Sequence, residues 1–536
     1  MLRGACAALV LAATSLGAQP TPFHVFDYDI ALTLPSNGKR IQGKARLAVR
    51  RLQPGDTLLL DLVDMRAERV RIGDAAASFI QDETHLRIDV AGRPDSLLVE
   101  VSYSGVPTDG FIIGTDSAGR WTGFGDNWPN RARHWIPSID SPSDKSTVTW
   151  SVNAPSDRRI VANGVLLEET KLLAGESERD VPRTETRWRE ARPIPVYLMT
   201  VAAAPLKRFD LDPAGCDTAS THSCVPQQVY AAPEQFSALP GEFVRAGDMV
   251  RFYEQLVAPF PYEKLAHVQS STRYGGMENA SAIFYADRLF RTGGAGSSVI
   301  AHETAHQWFG DAVTERAWGH VWLSEGFATY FAALWARHAF GDSTFRAEMA
   351  RTRQVVLRDE AVATRPVIDT LQADLMKLLN RNSYEKGGWT LHMLRALVGD
   401  SAFFRGVRDY WTAHEHGTAL TDDLMAAVEY RSQMNLGWFF DQWLRRPGFA
   451  SLTTRWRYDA ASHRVTLDVT QGGRFRPYRL PLAIDVTDAG GRSHRVRVDI
   501  PAASRTRIQL PLTLAAAPRR LVFDPDTELL AEIRSR

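Results

Sequence analysis

His302-Glu303-Thr304-Ala305-His306 places two imidazoles and a carboxylate within five residues. On an α-helix, positions four apart lie on one face, about one turn along the axis. Both imidazoles can therefore reach one metal ion, and Glu303 can aim its carboxylate at a water beside it. The surroundings read as helical, with Ser297 and Ser298 as caps, an apolar run from Val299, and Gly310 as a stop. Two histidines do not complete a zinc centre, which takes three protein ligands and leaves a fourth position for water. Glu325, in Trp322-Leu323-Ser324-Glu325-Gly326, is the candidate third ligand. The first helix would end at Gly310, the chain would turn through Trp318-Gly319, and a second helix would present Glu325 to the same ion. Such a centre keeps net positive charge, so it can lower the pKa of water to about 7 and polarise a carbonyl. The competing reading is a helix with two surface histidines. Ala301, Ala305 and Phe309 argue against its full exposure.

Gly275-Gly276-Met277-Glu278-Asn279 is the second unusual segment. Paired glycines let a backbone approach another chain closely. An exposed strand edge over Gly275, Gly276 and Met277 could hydrogen-bond an extended peptide. Glu278 then either holds a positive charge, such as the free amino group of a substrate, or is a solvated glutamate after a glycine turn. The residues alone leave both open.

With these motifs the chain resembles the aminopeptidase N family of gluzincins, which also includes the leukotriene-hydrolysing aminopeptidases. The resemblance rests on Gly275 to Asn279, His302 to Asp311, Trp322 to Tyr330, Tyr384-Glu385-Lys386-Gly387, and Pro137-Ser138-Ile139-Asp140-Ser141-Pro142. It spans roughly residues 23 to 445. It implies a zinc-dependent aminopeptidase with one Zn2+ held by His302, His306 and Glu325. Glu303 would be the general base, Glu278 would bind the substrate α-amino group, and the Tyr384 hydroxyl would face the developing oxyanion. Nothing local marks Tyr384; its role comes from the resemblance alone. The partners implied are peptides with a free N-terminus. Asp311 would orient a ligand histidine.

Two departures stand out. Counting back from Pro137, the family's second amine-binding Glu or Gln falls at Trp128, which cannot accept that hydrogen bond; Asp126 or Asn127 is the candidate substitute. The sequence also stops without the large helical C-terminal domain of many relatives, so a more open site is expected. Two alternatives share the motifs. A zinc endopeptidase would use the same metal centre without needing Glu278. A non-catalytic peptide-binding protein would need neither the base nor three ligands.

The elements that must position these residues fall into three kinds. Alternation in Val25–Ile30, Thr57–Leu62 and Val148–Val152 predicts an N-terminal antiparallel β domain over 19–206. Helical periods dominate from about Ala231 to Leu444, as in Gly241–Leu256 and Ser401–His414, while Leu265–Tyr285 stays strand-like. This predicts a mostly helical catalytic domain over 207–446, thermolysin-like by the resemblance. Alternation returns in Val465–Val469, Leu482–Val486 and Arg495–Asp499, with a hairpin signal at Asp488-Ala489-Gly490-Gly491. A small C-terminal β-sandwich over 447–536 completes a multidomain α+β fold.

The 536 residues are too many for one core, and 44% apolar content is ordinary for a globular enzyme. With 63 basic and 62 acidic residues, the net charge of +1 gives no electrostatic reason to bind nucleic acid or an anionic membrane. Arg3, the apolar run Ala5–Leu16 and Gly17-Ala18 read as a signal peptide over 1–18, cut after Ala18. An exported chain, periplasmic or secreted and without a membrane span after cleavage, is the expectation. Cys6 would leave with the leader. Cys216 and Cys224 would pair in a local disulfide.

Overall fold

The computed structural model describes residues 21–172, 181–214, 224–235, 241–292 and 296–535. The expected leader over 1–18 and Cys216 lie outside these residues. Cys224 is disulfide-bonded.

Among the described residues the N-terminal region forms an eight-stranded, a four-stranded and a three-stranded sheet, the last containing Thr57–Asp61. In Phe23–Thr33 the alternation buries Val25, Tyr28, Ile30 and Leu32. The pattern skips one position where the register shifts between Val25 and Asp27, so a bulge carries the apolar face across the break. The strands pair antiparallel with one exception: Phe23–Thr33 runs parallel to Lys145–Pro155. More than a hundred residues separate these two strands, so no tight hairpin dictates their direction. The smaller sheet contains Trp121–Gly125 and Arg159–Ala162. It leads the chain toward Trp128 on one side and Asn163 on the other.

The central region opens with a five-stranded sheet. Its strands, in order, are Lys207–Ala214, Val225–Ala231, Leu265–Ser270, Ala282–Ala286 and Gly276–Met277. Leu265–Ser270 and Ala282–Ala286 are buried at every position and show no alternation, as parallel neighbours covered on both faces do. Among the described residues, Gly276–Met277 is an edge, paired only with Ala282–Ala286. Helices then take over. Gly296–His306 packs against Trp322–Phe340, which is followed by Asp342–Val356, Gly387–Val398 and Asp400–His414. Twelve residues of Trp322–Phe340 are buried, so this helix runs through the core rather than along the surface.

The last region is a β-sandwich of a four-stranded and a three-stranded sheet around Leu452, Leu467, Leu482, Ile484 and Val486. Asp488–Gly491 turns Leu480–Thr487 into Ser493–Ile500 as an antiparallel pair. No helix among the described residues is long and apolar enough to cross a membrane.

The predicted bounds of the first site helix need correction. It starts at Gly296, so Ser297 and Ser298 sit inside its first turn and do not cap it. It ends at His306, before Gly310. Beyond it, the amides of Gln307 and Trp308 reach back three residues, that of Phe309 four and that of Asp311 five, so the ladder becomes irregular. Gly310 instead permits close packing: at its φ of 120°, a Cβ would lie 2.4 Å from the Ser324 hydroxyl.

Candidate metal centre and active-site cleft

The two imidazoles and the distant carboxylate converge. Nε2 of His302 and Nε2 of His306 lie 3.1 Å apart. Glu325 Oε2 stands 3.2 Å from the first and 3.3 Å from the second. Tetrahedral ligands on bonds of about 2.0–2.1 Å would lie roughly 3.3–3.4 Å apart, so this triangle matches one face of a zinc coordination sphere. The tautomer also fits. His306 Nδ1 faces the Phe309 carbonyl at 3.1 Å, and a carbonyl only accepts. Nδ1 therefore carries the proton, and Nε2 offers its lone pair to the triangle. The donor set suits a single zinc ion with a fourth position open.

The Glu325 helix reaches this geometry through a glycine contact. A Cβ on Gly326 would lie 2.9 Å from the backbone of Gly387, so the helix and the start of Gly387–Val398 meet backbone to backbone. Just before Gly387, residues Asn382–Lys386 form a π-helical turn, a form often found at functional sites. That turn delivers Tyr384, whose hydroxyl donates to Glu325 Oε1 at 2.8 Å. Its ring lies nearly parallel to that of His302, with centroids 5.9 Å apart.

Glu303 and Glu278 occupy the same chamber. Ligand atoms of Glu278, Glu303 and His306 all lie within 4.8 Å of one another. Gly276 lies directly against Glu303: a Cβ there would come within 2.3 Å of the carboxyl. Glu278, Glu303 and Glu325 are 5–6% exposed. Burial pushes the Glu303 carboxyl far above its usual range, with the His306 ring opposing and Glu278 adding to the rise. Burial also lifts Glu278, to about 7, against His306 and with Glu325. Burial works the same way on Glu325, but the adjoining His302 and His306 rings outweigh it and hold the carboxyl at about 2. Three carboxyls out of water form a site that favours cations, and a bound metal or an ammonium group would draw all three toward ionisation.

A cleft of about 880 Å3 opens over these groups. The nine residues read in the sequence as metal ligands, base, oxyanion donor or substrate-binding all line it: Gly275, Gly276, Met277, Glu278, His302, Glu303, His306, Glu325 and Tyr384. Trp128 and Tyr274 close one side, their rings edge to face at 6.2 Å.

Three other expectations are corrected. Asp311 does not orient a ligand histidine, because the Phe309 carbonyl and the Ser324 hydroxyl already flank His306 Nδ1. Asp311 Oδ2 instead accepts from Gln307 Nε2 at 2.8 Å. Asp126 is fully buried, accepts from the Thr272 hydroxyl and pairs with Arg131. Asn127 is occupied by the Met199 carbonyl and the Trp135 indole. Neither lines the cleft, whereas Trp128 does. The sequence reading missed Gln307 as an individual residue. Its amide donates to the Glu278 carbonyl at 3.0 Å and accepts from the Ser281 amide at 2.8 Å, tying the metal helix to the glycine-rich strand. A glutamine at a helix end carries no local signal of such a task.

Comparison with known proteins agrees with this architecture. Residues 25–198 match the Peptidase M1 N-terminal domain, and residues 244–443 match the Peptidase family M1 domain. Glutamyl aminopeptidase of Sus scrofa is 27% identical over 360 residues, covering 64% of this chain and 36% of that protein. Leucyl aminopeptidase of Saccharolobus solfataricus is 22% identical, covering 80% and 55%. Aminopeptidase N of Streptomyces lividans is 26% identical, covering 75% and 48%. The chain thus spans between about a third and just over half the length of these curated relatives. Among solved structures, Legionella pneumophila aminopeptidase A in complex with aspartic acid superposes with a TM-score of 0.82 at 17% identity, over 96% of this chain and 60% of that one. A point mutant of an M1 zinc metallopeptidase from Deinococcus radiodurans gives 0.68 at 24% identity, over 80% and 95%. Both share the fold. With the two family domains in order over well over half of its length, the chain belongs to peptidase family M1.

Proposed function

We propose that this chain is a zinc-dependent aminopeptidase that hydrolyses the first peptide bond of peptides with a free N-terminus. The observation that carries the reading is the short reach between Glu278 and the base: its carboxylate lies within 4.8 Å of the Glu303 carboxylate and of a His306 ring nitrogen. An α-ammonium nitrogen sits only about 2.5 Å from the carbonyl carbon of its own residue, given standard backbone bonds. A substrate holding its ammonium on Glu278 would therefore put its first carbonyl beside Glu303, with no room for a preceding residue.

Zinc held by His302, His306 and Glu325 would supply Lewis acidity, polarising a carbonyl and making water more acidic. The protein groups do the rest. Glu303 accepts a proton from the attacking water and passes it to the leaving amine nitrogen. Its burial raises its proton affinity, the property this task needs. The Tyr384 hydroxyl donates to the carbonyl oxygen as negative charge develops there. The free edge of Gly276–Met277 can pair with the substrate backbone. Glu278 fixes the register. An oxidising compartment is part of this reading; the leader-like residues 1–18 and the disulfide at Cys224 support it.

The test is to incubate the zinc-loaded protein with a peptide and its N-acetylated twin and follow products by mass. The reading expects stepwise loss of single N-terminal residues from the free peptide and no cleavage of the blocked one. Internal cuts in both at similar rates would make the protein an endopeptidase.

A further inference from the structure

Glu278 sits at a mechanically awkward place. The residues before it, Gly276–Met277, form a two-residue edge strand, the kind of element that frays most readily. The residues after it are held far more firmly. The Glu278 carbonyl accepts from Gln307 Nε2 at 3.0 Å. The Ala280 carbonyl accepts from Asn163 Nδ2 at 2.7 Å. The Ser281 hydroxyl accepts from the Gly164 amide at 2.7 Å and donates to Glu190 Oε2 at 2.9 Å. The Ser281 carbonyl accepts from Lys264 Nζ at 2.9 Å. Asn163, Gly164 and Glu190 all belong to the N-terminal β region, about ninety residues or more before the segment they hold.

Two details indicate that this arrangement is specific. Ser281 adopts a φ of 60°, left-handed for a non-glycine residue, a strained conformation that persists only where surroundings over-determine it. Asn163 is fully buried and spends its whole amide here: besides Ala280, it donates to the Leu198 carbonyl at 2.9 Å and accepts from the Thr200 amide at 2.6 Å. Gly164 can reach Ser281 only because it has no side chain; a Cβ would lie 1.8 Å from the Arg189 carbonyl.

We propose that Ser281 and Asn163 are positioning residues for Glu278, locking the 278–282 segment to the N-terminal β region so that the carboxylate meets the substrate ammonium. This rests on the reading of Glu278 given above. The N-terminal region thereby serves amine recognition through the segment it holds.

The experiment compares, by calorimetry on zinc-loaded protein, the Kd of leucine hydroxamate with that of 4-methylpentanohydroxamate, which is the same molecule without the amino group. Their ratio reads the amine contact alone. Glu278→Ala is expected to bring the ratio near one. Ser281→Ala and Asn163→Ala are expected to lower it about tenfold, the scale of a misaligned charge-assisted hydrogen bond, while the Kd of the desamino compound moves less than about threefold. Ser281→Gly removes the same hydroxyl and relieves the left-handed backbone, so it serves if the alanine variant folds poorly. An unchanged ratio in the Ser281 and Asn163 variants overturns the proposal, as does equal weakening of both compounds, which marks a purely structural role. A ratio that survives Glu278→Ala overturns the reading of Glu278, and the proposal with it.

Discussion

The Tyr384 hydroxyl donates to Glu325 Oε1 at 2.8 Å, while the other oxygen of the same carboxylate closes the triangle with the two histidines. One carboxylate thus joins the metal triangle to the Tyr384 hydroxyl. On the proposed reading the hydroxyl would turn from Glu325 to the substrate carbonyl, a donor swap that leaves the metal ligands in place. Tyr384→Phe is therefore expected to keep full zinc content and a similar KM while kcat falls about 100- to 1,000-fold. Loss of zinc in this variant would show that the tyrosine supports the ligand rather than the reaction.

Glu303 is assigned to proton transfer and contributes no ligand atom to the triangle. Glu303→Gln should bind zinc as the parent does and lose nearly all turnover. Elemental analysis beside an arylamide assay checks both halves, and near-normal turnover would reject the assignment.

Gly276 offers a test of placement without touching a polar group. A Cβ there meets the end of the Glu303 side chain rather than backbone. Gly276→Ala should displace the carboxyl and cost about 100-fold in kcat, the scale of a misplacement near 1 Å. Thermal stability should change little, because the displaced atoms end a flexible chain. Unchanged kcat would mean that Glu303 has room to act from elsewhere.

Much of this site is legible in the sequence because its logic is local. The His302–His306 spacing needs only a helix, and Glu325 needs only a second helix a short turn away. Tyr384 is different: it reaches Glu325 through the Gly326–Gly387 approach and a π-helical turn, neither of which leaves a periodic signature. Asn163 and Gly164 meet Ala280 and Ser281 across more than a hundred residues, so only the folded chain brings them together. Asp311 misleads for a physical reason. The loosened turn after His306 folds the Phe309 carbonyl back onto Nδ1, the place a carboxylate would otherwise take. The strands Leu265–Ser270 and Ala282–Ala286 read only as strand-like because burial on both faces removes the alternation that marks a half-exposed strand.

Two buried histidines away from the metal set a pH limit on stability. Burial holds His267 down to about 3 and His392 down to about 4, so both are neutral in the fold. An unfolded histidine titrates near 6.5. Below that pH the unfolded chain binds more protons than the folded one, so stability is present above about 6.5 and is lost as pH falls toward 4 and 3. Each histidine contributes a slope of up to about 1.4 kcal/mol per pH unit in that window. Between pH 7 and pH 4.5, acidification should cost His267→Gln less melting temperature than it costs the parent. Parallel curves would mean that His267 is not the proton acceptor on unfolding.

The most direct test of the central claim is the zinc content of the parent and of Glu325→Ala after exhaustive dialysis, measured per chain on folded protein. The convergence of His302, His306 and Glu325 predicts one zinc per chain in the parent and a small fraction of that in the variant. One zinc per chain in both would contradict it.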